Sequence, residues 1–181
     1  LEFRRVLFRS YEVTIGADGV GDHPTFAVLT DAQAALATIG IDLKINDLSD
    51  TSILWDMLDA GEQELWCAAW QSTIDPDMYQ VYYSGNIVGK GGSDSNHYHV
   101  ASEELDKLIL DARKSDDQSY RKAIYKQALD FIVDAAVEIP CYQRQNCQIF
   151  STQRIDTTTI TPDITTFWGW RAEIEKLEMV K

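Results

Sequence analysis

Between residues 11 and 70 the sequence alternates strand-like and helix-like segments, and that order restricts the fold more than any other feature of the 181 residues. Tyr11-Glu12-Val13-Thr14-Ile15-Gly16 alternates polar and apolar positions as a half-buried strand does, then passes through a glycine-rich turn to Gly21. Phe26, Leu29, Ala32, Leu36 and Ile39 recur at helical spacing after Pro24, and Gly40 is placed to end that helix. Ile41, Leu43 and Ile45 return to a period of two. Ile53, Trp55 and Leu58 mark a second helix, capped by Asp50 or Thr51 and stopped at Ala60-Gly61. An apolar run over residues 64–70 then has the length and composition of a buried strand. A β-α-β-α-β order joined by right-handed crossovers makes a parallel or mixed sheet flanked by helices. The expected class is α/β.

The third strand is expected to run into the loop Asp75-Pro76-Asp77, followed by Tyr79, Tyr82 and Tyr83 on a short helix. Open α/β sheets bind ligands beyond the carboxyl ends of their strands, so a Trp at a strand end beside a carboxylate-bearing loop is a candidate site. A core strand followed by an ordinary proline turn fits the same residues, and the three tyrosines suit the core. Residues 84–95 are rich in Gly, Ser and Asn and read as a long surface loop. Two helices follow, one from an N-cap at Ser102 through Leu105, Leu108, Ile109 and Ala112, the other from Asp116 or Asp117 through Tyr120, Ile124, Ala128, Phe131 and Ile132. Ile139-Pro140-Cys141-Tyr142 begins another extended segment, with proline at its edge. Residues 157–166 are Thr-rich and aperiodic, as in a connection, and precede Phe167-Trp168-Gly169-Trp170 and a short charged tail.

Charge narrows the possible partners. The chain has 16 Lys and Arg against 29 Asp and Glu. Residues 1–10, Leu-Glu-Phe-Arg-Arg-Val-Leu-Phe-Arg-Ser, resemble a translated sequencing-adapter oligonucleotide and are set aside from fold reasoning. Without their three Arg and one Glu, 13 basic residues face 28 acidic ones, a net charge of −15. Nucleic acid and anionic membranes select basic patches, which disfavours both as partners. No apolar run reaches the roughly 18 residues of a membrane-spanning helix. The cysteines Cys67, Cys141 and Cys147 show no zinc or redox spacing, and Cys67 suits a small buried hydrophobe.

Catalytic patterns are missing: there is no Gly-x-Ser-x-Gly, P-loop, His-Glu-x-x-His or CxxC. Gly16-Ala17-Asp18-Gly19-Val20-Gly21 lacks the Gly-x-Gly-x-x-Gly spacing of a dinucleotide site, which favours a plain turn over phosphate binding. On a strand, His97-x-His99 would place two imidazoles on one face, but no Cys or acidic partner stands at a telling spacing. A solvated loop pair is the simpler reading, no metal is assigned to His97 and His99, and His23 is a turn residue. No cofactor and no catalytic residue are expected, and the chain is read as a non-enzyme, with an α/β enzyme domain as the remote alternative.

Four segments, in order, carry a resemblance. They are Ala37-Thr38-Ile39-Gly40-Ile41-Asp42-Leu43, Trp70 followed by Asp75-Pro76-Asp77, Leu105-Asp106-Lys107-Leu108-Ile109, and Ile139-Pro140-Cys141-Tyr142-Gln143-Arg144. Together they make the chain similar to the C-terminal part of extracellular solute-binding protein family 5, which serves peptide and nickel ABC importers. The resemblance implies a type II periplasmic-binding-protein-like fold of two lobes that close on a ligand. Residues 11–155 would form the C-terminal ligand-binding lobe and 156–181 the segment returning toward the N-terminal lobe. It implies capture of oligopeptides or dipeptides, with a nickel chelate, a sugar or another small solute as alternatives. The partner is an ABC permease, the state a monomer, and the location periplasmic or extracellular and tethered to the cell envelope, with any signal peptide upstream of Leu1.

The same resemblance implies the site residues Ala69, Trp70, Thr73, Asp75 and Tyr79. Peptide-binding members place an aspartate three residues after the Trp to pair with the ligand's α-amino group. Here that position is Thr73, the nearest carboxylate is Asp75, and the loop is about one residue shorter. Either Asp75 takes over the pairing or the ligand has no free amine. Tyr142-Gln143-Arg144 falls near the hinge crossing, where a structural role is expected.

Overall fold

The computed structural model describes residues 9–70, 73–143, 145, 147, 149–162, 165 and 168–180. These divide into two compact units, one from the described residues of Leu1–Gln71 and Asp77–Cys141, the other from those of Ser72–Pro76 and Tyr142–Lys181.

The first unit is built on three parallel strands, β1 (Arg9–Ile15), β2 (Ile41–Asp47) and β3 (Leu65–Cys67), in the order β2-β1-β3. β1 pairs with β2 from Arg9↔Ile41 to Ile15↔Asp47, and with β3 from Val13↔Leu65 to Ile15↔Cys67. Arg9 and Ser10, set aside in the sequence, extend β1 here because a strand pairs through its backbone whatever its side chains. Helix α1 (Pro24–Ala37) crosses from β1 to β2, and α2 (Thr51–Asp59) from β2 to β3. The imidazole of His23 accepts from the Thr25 N–H at the start of α1, and the Asp50 carboxylate accepts from Ser52 at the start of α2. Each satisfies an amide that the first helical turn leaves without an internal partner. Phe26, Leu29, Ala32 and Leu36 form the half-covered face of α1, whereas Ile39 lies past the helix and is exposed. Val13, Ile15, Leu43, Leu54 and Leu58 are buried between the sheet and its helices.

β3 is shorter and less buried than its composition predicts. Three residues pair instead of seven, and Leu65 is exposed. Among the described residues β3 is an edge strand, hydrogen-bonded on one side only. Its apolar character reflects Trp66, whose ring packs on Tyr98 rather than within the sheet.

After the edge strand, α3 (Tyr79–Tyr82), α4 (Glu103–Ala112) and α5 (Gln118–Ala135) surround a second core. Met78, Val100, Leu105, Ile109, Ala112, Tyr125, Ala128 and Ile132 are its buried members. Ser102 and Asp117 cap α4 and α5 as the sequence predicts. Residues 84–95, with Asn96 that follows them, are not an open surface loop. Asn86 and Asn96 are buried there, and their side-chain amides donate to the carbonyls of Tyr79, Gln80, Tyr83 and Val100. Gly- and Asn-rich composition reports backbone freedom; here that freedom winds the chain around two interior amides. The extended segment expected from Ile139 makes no strand among the described residues, and Ile139 itself is exposed.

In the second unit, Ile155 and Met179 form an antiparallel bridge. Asp156 N–H donates to the Glu178 carbonyl and Val180 N–H to the Arg154 carbonyl, each at 2.9 Å. The Thr-rich connection winds into a short 3₁₀ turn, Thr157–Thr159, capped by the Asp156 carboxylate.

Candidate functional site

Trp70 lies three residues past β3, near the carboxyl edge of the sheet, and is 41% exposed. Its surroundings hold it on several sides. The indole stacks over His97 with ring centroids 6.4 Å apart and planes 10° from parallel. Trp55 meets it edge-on at 5.9 Å. The indole Nε1–H donates to the Tyr98 hydroxyl at 3.0 Å. These separations lie in the favourable range for aromatic pairs, and the hydrogen bond fixes rotation about the remaining axis. A large indole face is thus presented in one orientation.

Behind it the aromatic cluster continues. Trp66 packs on Tyr98 at 5.2 Å and edge-on to His97 at 6.2 Å. Tyr98 stacks on Tyr82 at 5.2 Å, and Tyr82 donates its hydroxyl to the Glu138 carboxylate. Burial, with the Glu138 carboxylate adding to it, pushes the Tyr98 hydroxyl up to about 12. Burial and the bond to Glu138 raise the Tyr82 hydroxyl as well. Both phenols therefore stay protonated and able to donate at any physiological pH.

The His97-x-His99 pair sits in a turn, not on a strand. His97 is buried beneath the tryptophans while His99 is exposed with a positive φ, so the two imidazoles do not share a face. His97 Nε2 lies 3.7 Å from the Asp59 carboxylate, and its buried Nδ1 has no hydrogen-bond partner among the described residues. This corrects the solvated loop pair expected from sequence: three tryptophans distant in sequence converge on an imidazole, which no local pattern reveals. Among the described residues no three His, Cys, Asp or Glu side chains are grouped to hold a metal ion.

The other sequence-predicted residues are placed differently. Ala69 is exposed beside Trp70. Tyr79 is half-buried against the helical core, its ring stacked on Tyr83 at 4.6 Å and covered by the Arg113 guanidinium at 4.2 Å. Arg113 is in turn paired with Asp77 at 3.4 Å. Thr73 and Asp75 belong to the second unit, where both are exposed and the Thr73 hydroxyl donates to the Asp75 carbonyl at 2.5 Å. Gln143 is a described residue outside regular structure, and Arg144 lies outside the described residues.

The glycine turn between β1 and α1 has already found its anion. Asp47, at the end of β2, accepts from the amides of Ala17 and Gly21 at 2.8 Å and of Gly19 at 3.2 Å. A ring of backbone N–H groups is an anion cradle, and an internal carboxylate fills this one, consistent with a plain turn. Cys67 is half-buried, and burial raises its thiol, so the thiolate needed of a nucleophile is disfavoured.

No family model matches the sequence. The chain is similar to a probable D,D-dipeptide-binding periplasmic protein of Escherichia coli (strain K12), 25% identical over 131 residues that make up 72% of this chain and 25% of the relative. Among solved structures it resembles an ABC transporter-associated periplasmic binding protein from Helicobacter pylori in complex with a peptide, with a TM-score of 0.58, 26% identity, and 71% of this chain and 24% of that one covered. It shares its fold with the oligopeptide-binding protein of Bacillus subtilis in complex with a nonapeptide, at a TM-score of 0.60 and 21% identity over 71% of this chain and 24% of the other. A protein from Campylobacter jejuni in complex with Ni(L-His) has the same fold, at a TM-score of 0.56 and 20% identity over 68% of this chain and 24% of that one. The chain spans about a quarter of the length of each of these relatives. The likeness to peptide and nickel solute-binding proteins read from sequence is found again in these relatives, and the α/β class with it.

Proposed function

We propose that this chain forms most of the C-terminal lobe of a two-lobed solute-binding protein that captures dipeptides or oligopeptides for an ABC importer. The observation that carries the reading is Trp70, an exposed indole locked in one orientation near the carboxyl edge of a parallel sheet. Similarity to a dipeptide-binding periplasmic protein and to a binding protein in complex with a peptide supports it. Capture is closure of one lobe on the other, a population shift toward the state the ligand favours, with no bond made or broken in the ligand. Ala69 and Trp70 line the cleft, and Tyr79 supports the same rim from the helical core. Thr73 and Asp75 contribute the polar side of the loop, with Asp75 as the partner of the peptide's α-amino group. The protein works as a monomer outside the cytoplasmic membrane, tethered to the cell envelope, and hands its ligand to a membrane permease.

A desolvated ammonium needs a carboxylate, and removing one partner of a buried charged pair costs about 2–5 kcal/mol of binding energy. Asp75→Ala in the complete protein carrying this chain is therefore expected to weaken peptide binding by that amount in calorimetric titration, and to leave N-acetylated peptides unaffected. Equal affinity of parent and variant for a free-amine peptide would remove Asp75 from that role. The second reading, a nickel chelate, is favoured by the structure in complex with Ni(L-His). The same titration with nickel and histidine separates the two.

A further inference from the structure

Trp70 is held by a residue less exposed than itself. Its Nε1–H has one acceptor, the Tyr98 hydroxyl, at 3.0 Å. Tyr98 is fixed from three directions: Tyr82 lies parallel to its ring at 10°, Trp66 packs at 5.2 Å, and the Glu138 carboxylate, which accepts a hydrogen bond from the Tyr82 hydroxyl, also acts on the Tyr98 hydroxyl. The Tyr98 phenol oxygen offers a lone pair to the indole, and the chain of contacts behind it, from its ring to Tyr82 and from the Tyr82 hydroxyl to Glu138, holds that oxygen in place. The indole cannot turn without breaking that chain. A flat wall whose rotation is fixed before ligand arrives saves the entropy of ordering it on binding. We propose that Tyr98, anchored by Glu138, is the positioning residue that fixes the Trp70 indole as an apolar wall of the cleft, and thereby sets a preference for peptides with a bulky apolar side chain at that subsite. This rests on the peptide-binding reading above.

The test measures the affinity of the complete protein carrying this chain for two sets of peptides, one with Leu or Phe and one with Gly or Ala at each position in turn. Tyr98→Phe keeps the ring that stacks on Tyr82 and removes only the hydroxyl. Loss of one hydrogen bond corresponds to about a 3- to 10-fold weaker Kd. That loss should be confined to the Leu and Phe peptides, should be absent when Trp70 is already Phe, and should be shared in direction by Glu138→Gln, which serves if Tyr98→Phe does not fold. An equal loss across both peptide sets marks a general structural role and overturns the proposal. Unchanged affinity in Tyr98→Phe while Trp70→Phe is weakened also overturns it, and leaves the binding reading intact. If Trp70→Phe binds every peptide like the parent, Trp70 is no wall and the proposal fails. If the parent binds no peptide at all, the proposed function fails first.

Discussion

Two asparagines show how much a single side chain can organise. Asn96 is fully buried, and its amide donates to the carbonyls of Tyr83 and Val100 at 3.1 and 3.0 Å, while Asn86 donates to those of Tyr79 and Gln80. The Asn86 side-chain oxygen accepts the Ser93 amide, and the backbone of Asn96 donates to that of Asn86. A Cβ on Gly92 would collide with the Gly85 carbonyl and with Asn86 Oδ1, so the composition that looked like an open loop is what lets the chain close around these amides. Asn96→Ala removes the donor from one buried and one half-buried carbonyl and is expected to destabilise the first unit by about 2–3 kcal/mol, read as a lower urea midpoint with an unchanged slope. A midpoint equal to the parent's would show that water reaches those carbonyls. None of this was legible from sequence, because Asn in a polar stretch looks the same whether it faces solvent or the interior. Trp70 was legible, since a Trp at the end of an apolar run is visible to inspection. Its partners Trp55, His97 and Tyr98 were not, since they come from two segments distant from it in sequence.

At the scale of elements the sequence was more informative. Period and caps located α1, α2, α4 and α5, and Asp50, Ser102 and Asp117 sit where capping chemistry requires. The parallel order followed from alternation alone. Failures came where an element's environment decides its form: β3 pairs with β1 over only three residues, its Trp66 turning to Tyr98 and His97, and the segment after α5 has no strand partner among the described residues. The β1–α1 turn illustrates tertiary control of a local motif. Asp47 reaches from β2 to hold three of its amides, joining the first crossover to the neighbouring strand. Charge-assisted bonds to backbone amides are among the stronger ones, so Asp47→Ala should cost about 2–3 kcal/mol in the same urea experiment. It should also let an added sulfate recover part of the loss by entering the vacated cradle. No loss and no sulfate response would mean that the turn holds itself.

For the molecule as a whole, pH offers a probe of the helical unit. Tyr98 is pushed up to about 12 and Tyr82 is raised further by burial and Glu138. A phenol whose folded value lies above its unfolded value of roughly 10 stabilises the fold fully below that value, and the contribution fades as pH rises through the folded range. Spectroscopic titration of the phenolates should therefore show Tyr82 and Tyr98 delayed until the unit loosens above about pH 10. Variants Tyr82→Phe and Tyr98→Phe should remove the delayed steps. A single step near the ordinary phenol value for all tyrosines would contradict the buried cluster.

The indole arrangement has an optical consequence as well. Trp55 and Trp70 lie 5.9 Å apart with their planes at 62°, close and skewed enough for their electronic transitions to couple. Such a pair gives a circular-dichroism couplet whose sign follows the handedness of the skew and whose strength falls steeply as the rings separate. Trp55 and Trp70 thus make a built-in chromophore pair. It needs no label to register whether a ligand, a variant or a change of solvent has turned the indole by a few degrees.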